Sequence, residues 1–551
     1  MHEANRNKHG SPGCLRAICL AMLAAGMGMG LEGAASAQEA GNAVAPPAAA
    51  SSEETRRVDI NEYIVRGNTV LDARSIEKAV TPFLGPQRTM KDVEGARDAL
   101  LAAYNAKGYQ SVYVDLPEQQ VTEGVVFLQV SETKVGRVRV VGAQYNSPLE
   151  VRDQVPALKE GAVPDFTQAQ VELTALNRGA KRQVVPLVKQ GSVPGTMDVD
   201  LKVDDSSPWR ASVGVNNDYS ADTRPLRMTG SIGYDNLWQL GHSASLSYFG
   251  TPQDMNQTRV WSGSYSAPLR GTNWAIEASG FISNSNVATV GGTSVLGKGH
   301  SMGIKATYTV PNAGNWYHAF GAGFDLKKND QSLQLNGAGD TVPLKYAPIS
   351  LTYAGFMQGE RNQYGVNFTL LNSTSRFFGY GSDDSQFDYN RYKATSSFLV
   401  LKLDLNGTHT FSNNMQLGGR LNTQITDSPL VSGEQIAAGG LNSVRGYLSA
   451  EATGDYGAVG SIELRSPMLS YLNPVVENWR IYTFFDAARL KLREPLPEQV
   501  DVYTLASVGF GSSFLISQAI SGRFDFGYPL KKGPRTPNHT PRLNFSLTAT
   551  Y

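Results

Sequence analysis

The chain has 551 residues, a formal net charge of zero from 49 basic and 49 acidic side chains, 56 glycines and 24 tyrosines. The length allows several domains, and the balanced charge gives no reason to expect a nucleic-acid partner. An apolar content of 41% is modest, but it does not exclude a membrane barrel, whose strands carry apolar side chains only at alternate positions.

A polar, basic stretch through Arg16 precedes an apolar run from Ala17 to about Gly30 and the small-residue site Ala35-Ser36-Ala37. This order predicts a Sec-type signal peptide over 1–37, cut before Gln38. Both cysteines, Cys14 and Cys19, fall inside it, so the expected mature chain has no thiol, disulfide or thiolate metal site. No cysteine marks a lipoprotein cleavage site. After the signal no stretch reaches the roughly 18 apolar residues that a membrane helix needs, which leaves a soluble protein or a membrane β-barrel. Residues 38–57 are rich in Ala, Pro and Ser and predict a flexible or polyproline-like segment.

From Val58 to Asp205 the pattern is mixed α and β, and it occurs twice, over 58–133 and 134–205. The first copy opens with a strand, Ile60–Val65, then the turn Arg66-Gly67-Asn68 and a short helical stretch around Ser75–Val80. Thr89 and Asp92 make a capping box for a longer helix, with Val93, Ala96, Leu100 and Tyr104 on one face and Gly108 as its stop. Strands near 110–115 and 125–130 close the unit. The second copy opens with Arg137-Val-Arg-Val-Val-Gly142, has helical segments near 149–158 and 167–177, and closes with strands near 184–190 and 197–203. The result is two β-α-α-β-β units. Their glycine-terminated first strands resemble the opening of a POTRA domain, a periplasmic module that receives clients by strand addition.

After Trp209 the helical period gives way to alternation through to the last residue. Sixteen strands are predicted over 206–551, from 209–217 and 227–235 through 394–410, 415–426, 457–466 and 479–486 to 542–551. An even number suits a bacterial single-chain barrel. In the last strand Leu543, Phe545, Leu547, Ala549 and Tyr551 alternate with Arg542, Asn544, Ser546, Thr548 and Thr550. The aromatic end resembles the terminal signature of outer-membrane barrels. The expected fold is thus an α+β periplasmic region of two POTRA-like domains followed by a 16-stranded antiparallel transmembrane barrel.

Strand parity places the loops. With the N-terminal region in the periplasm, strand one runs outward, and the connection from strand eleven to twelve, roughly Asp427–Tyr456, is the sixth extracellular loop. It carries Val444-Arg445-Gly446-Tyr447, and loops of that length without secondary structure are usually functional or disordered. Signal peptide, POTRA-like pair, sixteen-stranded barrel and Val-Arg-Gly-Tyr in the sixth loop together resemble the TpsB transporters of two-partner secretion, a branch of the superfamily that includes outer-membrane assembly factors.

The resemblance implies that the sixth loop folds back into the barrel and that its arginine meets an aspartate on the inner wall, in a motif Phe-x-Asp-x-Gly. The matching segment is Phe484-Phe485-Asp486-Ala487-Ala488 on strand thirteen, with Ala488 in place of the glycine. Alternation puts Arg480, Tyr482, Phe484 and Asp486 on one face, expected to be the lumen. An Arg445–Asp486 contact in a wet lumen would be worth about 1 kcal/mol, and more where water is excluded.

No cofactor or metal site is predicted: His242, His300, His318, His409 and His539 are dispersed, no GxSxG elbow occurs, and the chain reads as a non-enzyme. Lys531-Lys532-Gly-Pro-Arg535 falls in the last extracellular loop, where it either stays solvated or meets lipopolysaccharide phosphate. The resemblance implies an outer-membrane translocase of a Gram-negative bacterium, a monomeric barrel that exports one unfolded exoprotein partner, TpsA. The alternatives are a barrel-assembly factor and a passive porin-like channel; the latter leaves the region 58–205 without a role. A pore-plugging N-terminal helix, a further feature of the family, fits 38–57 poorly.

Overall fold

The computed structural model describes residues 57–551 apart from 178–180, 286–287, 290–294, 297, 312–313, 331, 336–337, 342 and 473–474. The predicted signal peptide and the Ala/Pro-rich segment through residue 56, where a plug helix was to be sought, lie outside the described residues.

In the first periplasmic unit, helices Ala73–Val80 and Met90–Ala106 pack on a three-stranded sheet. Its central strand, Val125–Glu132, runs parallel to Glu62–Arg66 and antiparallel to Val112–Asp115. The long helix begins at Thr89 because the Thr89 hydroxyl and the Asp92 carboxylate each satisfy a free backbone N–H of the other. Its face of Val93, Ala96, Leu100 and Tyr104 is buried, so Leu100→Ala there removes about 2–5 kcal/mol. The second unit repeats the topology, with Thr196–Asp205 central between parallel Lys134–Val141 and antiparallel Arg182–Gln190.

Gly67 and Gly142 end the two opening strands with φ of 85° and 86°. A Cβ on either would stand 2.3 Å from the Val130 carbonyl oxygen or 2.5 Å from that of Val203. Both units therefore need glycine for one reason, a left-handed turn pressed onto the central strand. One expectation fails here. The opening strand 60–65 is broken at Asn61, whose N–H is taken by the Gly124 carbonyl at 2.8 Å, and Val58–Ile60 pairs instead with Gly85–Arg88.

The barrel strands are β1 (Trp209–Asn216), β2 (Arg227–Leu237), β3 (His242–Gly250), β4 (Thr258–Pro268), β5 (Trp274–Ser285), β6 (Gly299–Thr309), β7 (Trp316–Asn329) and β8 (Ile349–Gln358). They continue with β9 (Asn362–Ser373), β10 (Phe398–Thr410), β11 (Gln416–Thr426), β12 (Tyr456–Arg465), β13 (Val476–Lys491), β14 (Val502–Ile516), β15 (Ile520–Pro529) and β16 (Arg542–Thr550). A short segment, Leu344–Tyr346, also pairs with β7 and belongs to the same stave as β8. The stave is interrupted at Pro348, whose nitrogen cannot donate to the ladder.

β16 pairs with β1 and closes the cylinder. That joint has five register pairs, against fourteen between β13 and β14, so the seam is held by little of the ladder. Alternation fixes which side chains face out: Leu543 is exposed while Asn544 is buried in the lumen.

The tenth strand starts at Phe398 rather than 394, because the β9–β10 connection holds a helix, Asp384–Asn390. Its apolar Phe387 packs with Leu430, Val431 and Tyr346. At the opposite mouth the β2–β3 turn seats the second periplasmic unit. Gln239 Oε1 accepts from the Ser147 N–H at 2.9 Å, and Asn236 Nδ2 donates to Asn146 Oδ1 at 3.0 Å.

Candidate functional site

The β11–β12 loop is neither structureless nor solvated. A 3₁₀ turn, Ser432–Glu434, leads into a small hairpin of Ile436–Ala438 with Ala452–Gly454, and most of the segment between them is buried. The hairpin gives the loop's backbone polar groups partners, which allows an irregular segment to sit inside the cylinder. Val444 and Tyr447 are fully buried with Ala438, Val459, Ala488, Leu490 and Leu505. The Tyr447 hydroxyl donates to the Lys531 carbonyl at 2.6 Å and accepts from the Ala506 N–H at 3.3 Å.

Arg445 and Asp486 meet. Arg445 Nε and Nη2 donate to Oδ2 and Oδ1 of Asp486, each at 2.7 Å, and the Arg445 backbone N–H adds a third bond at 3.0 Å. The planar fork on a carboxylate fixes direction as well as charge. Nη1 donates to Glu463 Oε1 at 2.6 Å and to Asp525 Oδ1 at 3.4 Å, and Nη2 donates to Ser461 Oγ at 3.0 Å. The guanidinium carbon lies 3.5 Å from the centre of the Phe484 ring, so Phe484 contributes a cation–π face. Both side chains, Arg445 and Asp486, have 0% exposure. The water-excluded end of the expected energy range therefore applies, and removing either partner strands a buried charge at a cost of about 3–5 kcal/mol.

Ala488 stands where the resembled motif has glycine, a residue that permits close backbone approach. Its methyl packs in the apolar cluster around Tyr447, and the close backbone approach lies elsewhere. Gly446 has φ 90°, and a Cβ on it would stand 3.0 Å from the Gly527 carbonyl carbon; one on Gly527 would stand 2.5 Å from the Gly446 nitrogen. The tip of the loop thus presses on β15 through two glycines, while β13 supplies the charge and the ring.

Sequence reasoning found Arg445, Asp486, Phe484 and the flanking Val444, Gly446 and Tyr447, but missed most of what surrounds them. Ser461 and Glu463 share an inward face of β12 with Gly457 and Val459; an acidic residue on a lumen face was the available signal. Asp525 on β15 accepts from Tyr482 at 2.9 Å, and Arg465 holds Glu463 Oε2 at 2.6 Å.

Further acidic residues hold the rest of the loop. Glu434 Oε1 accepts from Lys327 Nζ at 2.6 Å and the Tyr346 hydroxyl at 2.9 Å. Asp455 accepts from the backbone of Leu430 and Arg493, and Glu451 from that of Arg535 and Thr536. The Arg535 guanidinium pairs with Asp222 at 3.3 Å. Beside the loop, along β1–β4, a cavity of about 420 Å³ remains, lined by Ser212, Ser231, Ser247 and Ser262 together with Phe249 and Arg523 among others. Among the described residues no group of three His, Cys, Asp or Glu side chains is placed to hold a metal.

Comparisons with known proteins agree over most of the chain. The family model described as "Haemolysin secretion/activation protein ShlB/FhaC/HecB" matches residues 195–514, and that of the "POTRA domain, ShlB-type" matches 58–133. The heme/hemopexin transporter protein HuxB of Haemophilus influenzae is 20% identical over 475 residues, covering 82% of this chain and 80% of its own. The outer membrane transporter CdiB of Dickeya dadantii is 21% identical over 500 residues, covering 87% and 84%. Among solved structures, CdiB from Escherichia coli superposes with a TM-score of 0.59 at 19% identity, over 92% of this chain and 93% of that one. BamA from Haemophilus ducreyi lacking POTRA domains 1–3 does so at 0.54 and 16%, over 90% and 100%. At such identities the structural likeness carries the fold alone.

Proposed function

The chain belongs to the haemolysin secretion/activation family, outer-membrane transporters of two-partner secretion with POTRA domains in the periplasm, and on that premise we propose that it exports one large unfolded exoprotein through its barrel, gated by the β11–β12 loop. The family implies a secreted protein partner; the client's recognition and the gate are the finer steps of this reading. Reception falls to the periplasmic units. Arg182–Gln190 lies at a sheet edge and exposes Leu187 and Val188, which suits addition of an extended apolar strand of the client.

Passage then requires the loop to leave. The observation that carries the reading is the buried Arg445 cluster: a loop that only covered the mouth would have no need of a desolvated guanidinium held by three acidic side chains. In this reading the chain would run through the space beside the serines of β1–β4. The periplasm offers no ATP, so folding of the client outside would draw the chain forward. The barrel works as a monomer in this reading, with Lys531 and Lys532 toward the lipopolysaccharide.

Deleting the gene tests the reading against its rival. Stranding of one exoprotein in the periplasm with other outer-membrane proteins at normal levels supports export. A general loss of barrels would assign the chain to barrel assembly instead. For the gate, Arg445→Ala is expected to stop secretion while the barrel remains inserted and folded, and undiminished secretion by that variant would refute it.

A further inference from the structure

A small hairpin on the outer rim takes no part in the lumen. Between β9 and β10 the Phe377 N–H donates to the Tyr380 carbonyl at 3.1 Å, and the Tyr380 N–H returns to the Phe377 carbonyl at 2.9 Å. The two tip residues, Phe378 and Gly379, have φ of 49° and 80°, the doubly left-handed tip that Asn-Gly usually fills. A bulky residue in that region is a genuine outlier. Phe378 is nonetheless 96% exposed, and its ring contact is with the adjacent Phe377, so burial within the chain does not hold it there. A strained, exposed aromatic calls for a partner outside the chain.

The position of the hairpin says which partner. The Phe377 ring lies 5.3 Å from that of Phe324 and 4.6 Å from that of Phe378. Phe324 pairs in register with Ile349 near the extracellular end of β7. It shares the outward parity of Phe320, which is 52% exposed, while its neighbour Lys327 points inward to Glu434. The outward face of an outer-membrane barrel is its lipid face, ringed by aromatics at the interface. Phe324, Phe377 and Phe378 thus run as rings in contact from the wall to the hairpin tip, with Phe320 on the same outward face of β7. Polar Thr374, Ser375 and Arg376 precede the tip and Ser382 and Asp383 follow it, with Arg376 and Asp383 paired at 2.8 Å.

We propose that Phe377 and Phe378 form a membrane finger, set among the acyl chains of the outer leaflet of the outer membrane. It anchors the β9–β10 connection at the rim. The helix Asp384–Asn390 follows directly, and its Phe387 packs on Leu430 and Val431 at the foot of the β11–β12 loop. Lipid therefore braces the frame against which that loop is packed. The anchoring does not depend on what the barrel exports.

Residues 38–551 contain no cysteine, so Phe378→Cys gives a single site for a spin label in the full mature chain. It is reconstituted in vesicles of lipopolysaccharide, phosphatidylethanolamine and phosphatidylglycerol. A label there is expected to relax with oxygen and resist a water-soluble nickel chelate, as a label at lipid-facing Phe320→Cys does and one at exposed Asn538→Cys does not. Phe378→Trp, which keeps an aromatic ring, is expected to add fluorescence that brominated lipid quenches above the level of the unaltered chain. A label at 378 as open to nickel as that at 538, with no added quenching, overturns the proposal. Nickel access lost only when an exported client is added would overturn it too, reassigning the tip to client contact.

Discussion

The lumen faces of β1–β4 and β12–β15 lie on either side of β16 in one closed wall, yet they present different chemistry to the lumen. On β12–β15 the inward positions carry Glu463, Asp486, Arg523 and Asp525, and the fully buried Arg445 of the loop is bonded to the three carboxylates. On β1–β4 the inward positions carry short hydroxyls that satisfy one another across strands, Ser212 with Ser231 at 2.7 Å and Ser245 with Ser264 at 2.8 Å. Through the middle of this wall the hydroxyl pairs leave a polar surface without fixed charge; its charges, Arg210 paired with Asp235 at 2.8 Å and buried Arg227, stand at the ends of the strands. Charge surrounds the buried Arg445, and on β1–β4 it is confined to the strand ends.

The largest test of that division breaks the held side. Asp486→Ala should remove about 3–5 kcal/mol of loop docking, read as loss of hydrogen-exchange protection over 440–450 and as loss of secretion, with β1–β4 unchanged. Gly446→Ala keeps the charges but puts a side chain where φ is 90° and Gly527 presses. A cost of about 1–3 kcal/mol should lower the fraction of time the loop is docked and lower secretion without abolishing it. Ser247→Asp tests the other wall: a new carboxylate should leave the loop protected yet slow secretion several-fold, an effect of about 1 kcal/mol. Slowing with equal loss of loop protection would erase the distinction between the walls. Smallest is Ala488→Gly, which trims a methyl from the cluster around Tyr447 and should cost about 1 kcal/mol or less, with secretion intact.

How much of this the chain announces depends on whether a feature is local. Alternation such as Leu543–Tyr551 repeats every second residue, so strands are readable from a few neighbours. The Thr89–Asp92 cap and its helix are equally local. Arg445 and Asp486 were legible through the family's motifs and strand parity. Their companions were not, because Glu463 on β12 and Asp525 on β15 approach the guanidinium only through register and barrel closure. The helix Asp384–Asn390 is too short to establish a period, although Asp383 and Gln386 form its capping box. Glu434 and Asp455 sit in a loop with no period at all, and only the folded lumen gives them partners.

Arg445 gathers six hydrogen bonds on one residue, three of them to a single carboxylate. The five donated by the rigid guanidinium cannot be surrendered in turn, since a shift that breaks one misaligns the others. A loop gated in this way would have no stable halfway position. Ion current through a single barrel should step between two levels instead of drifting, with dwell times set by how seldom those charges separate.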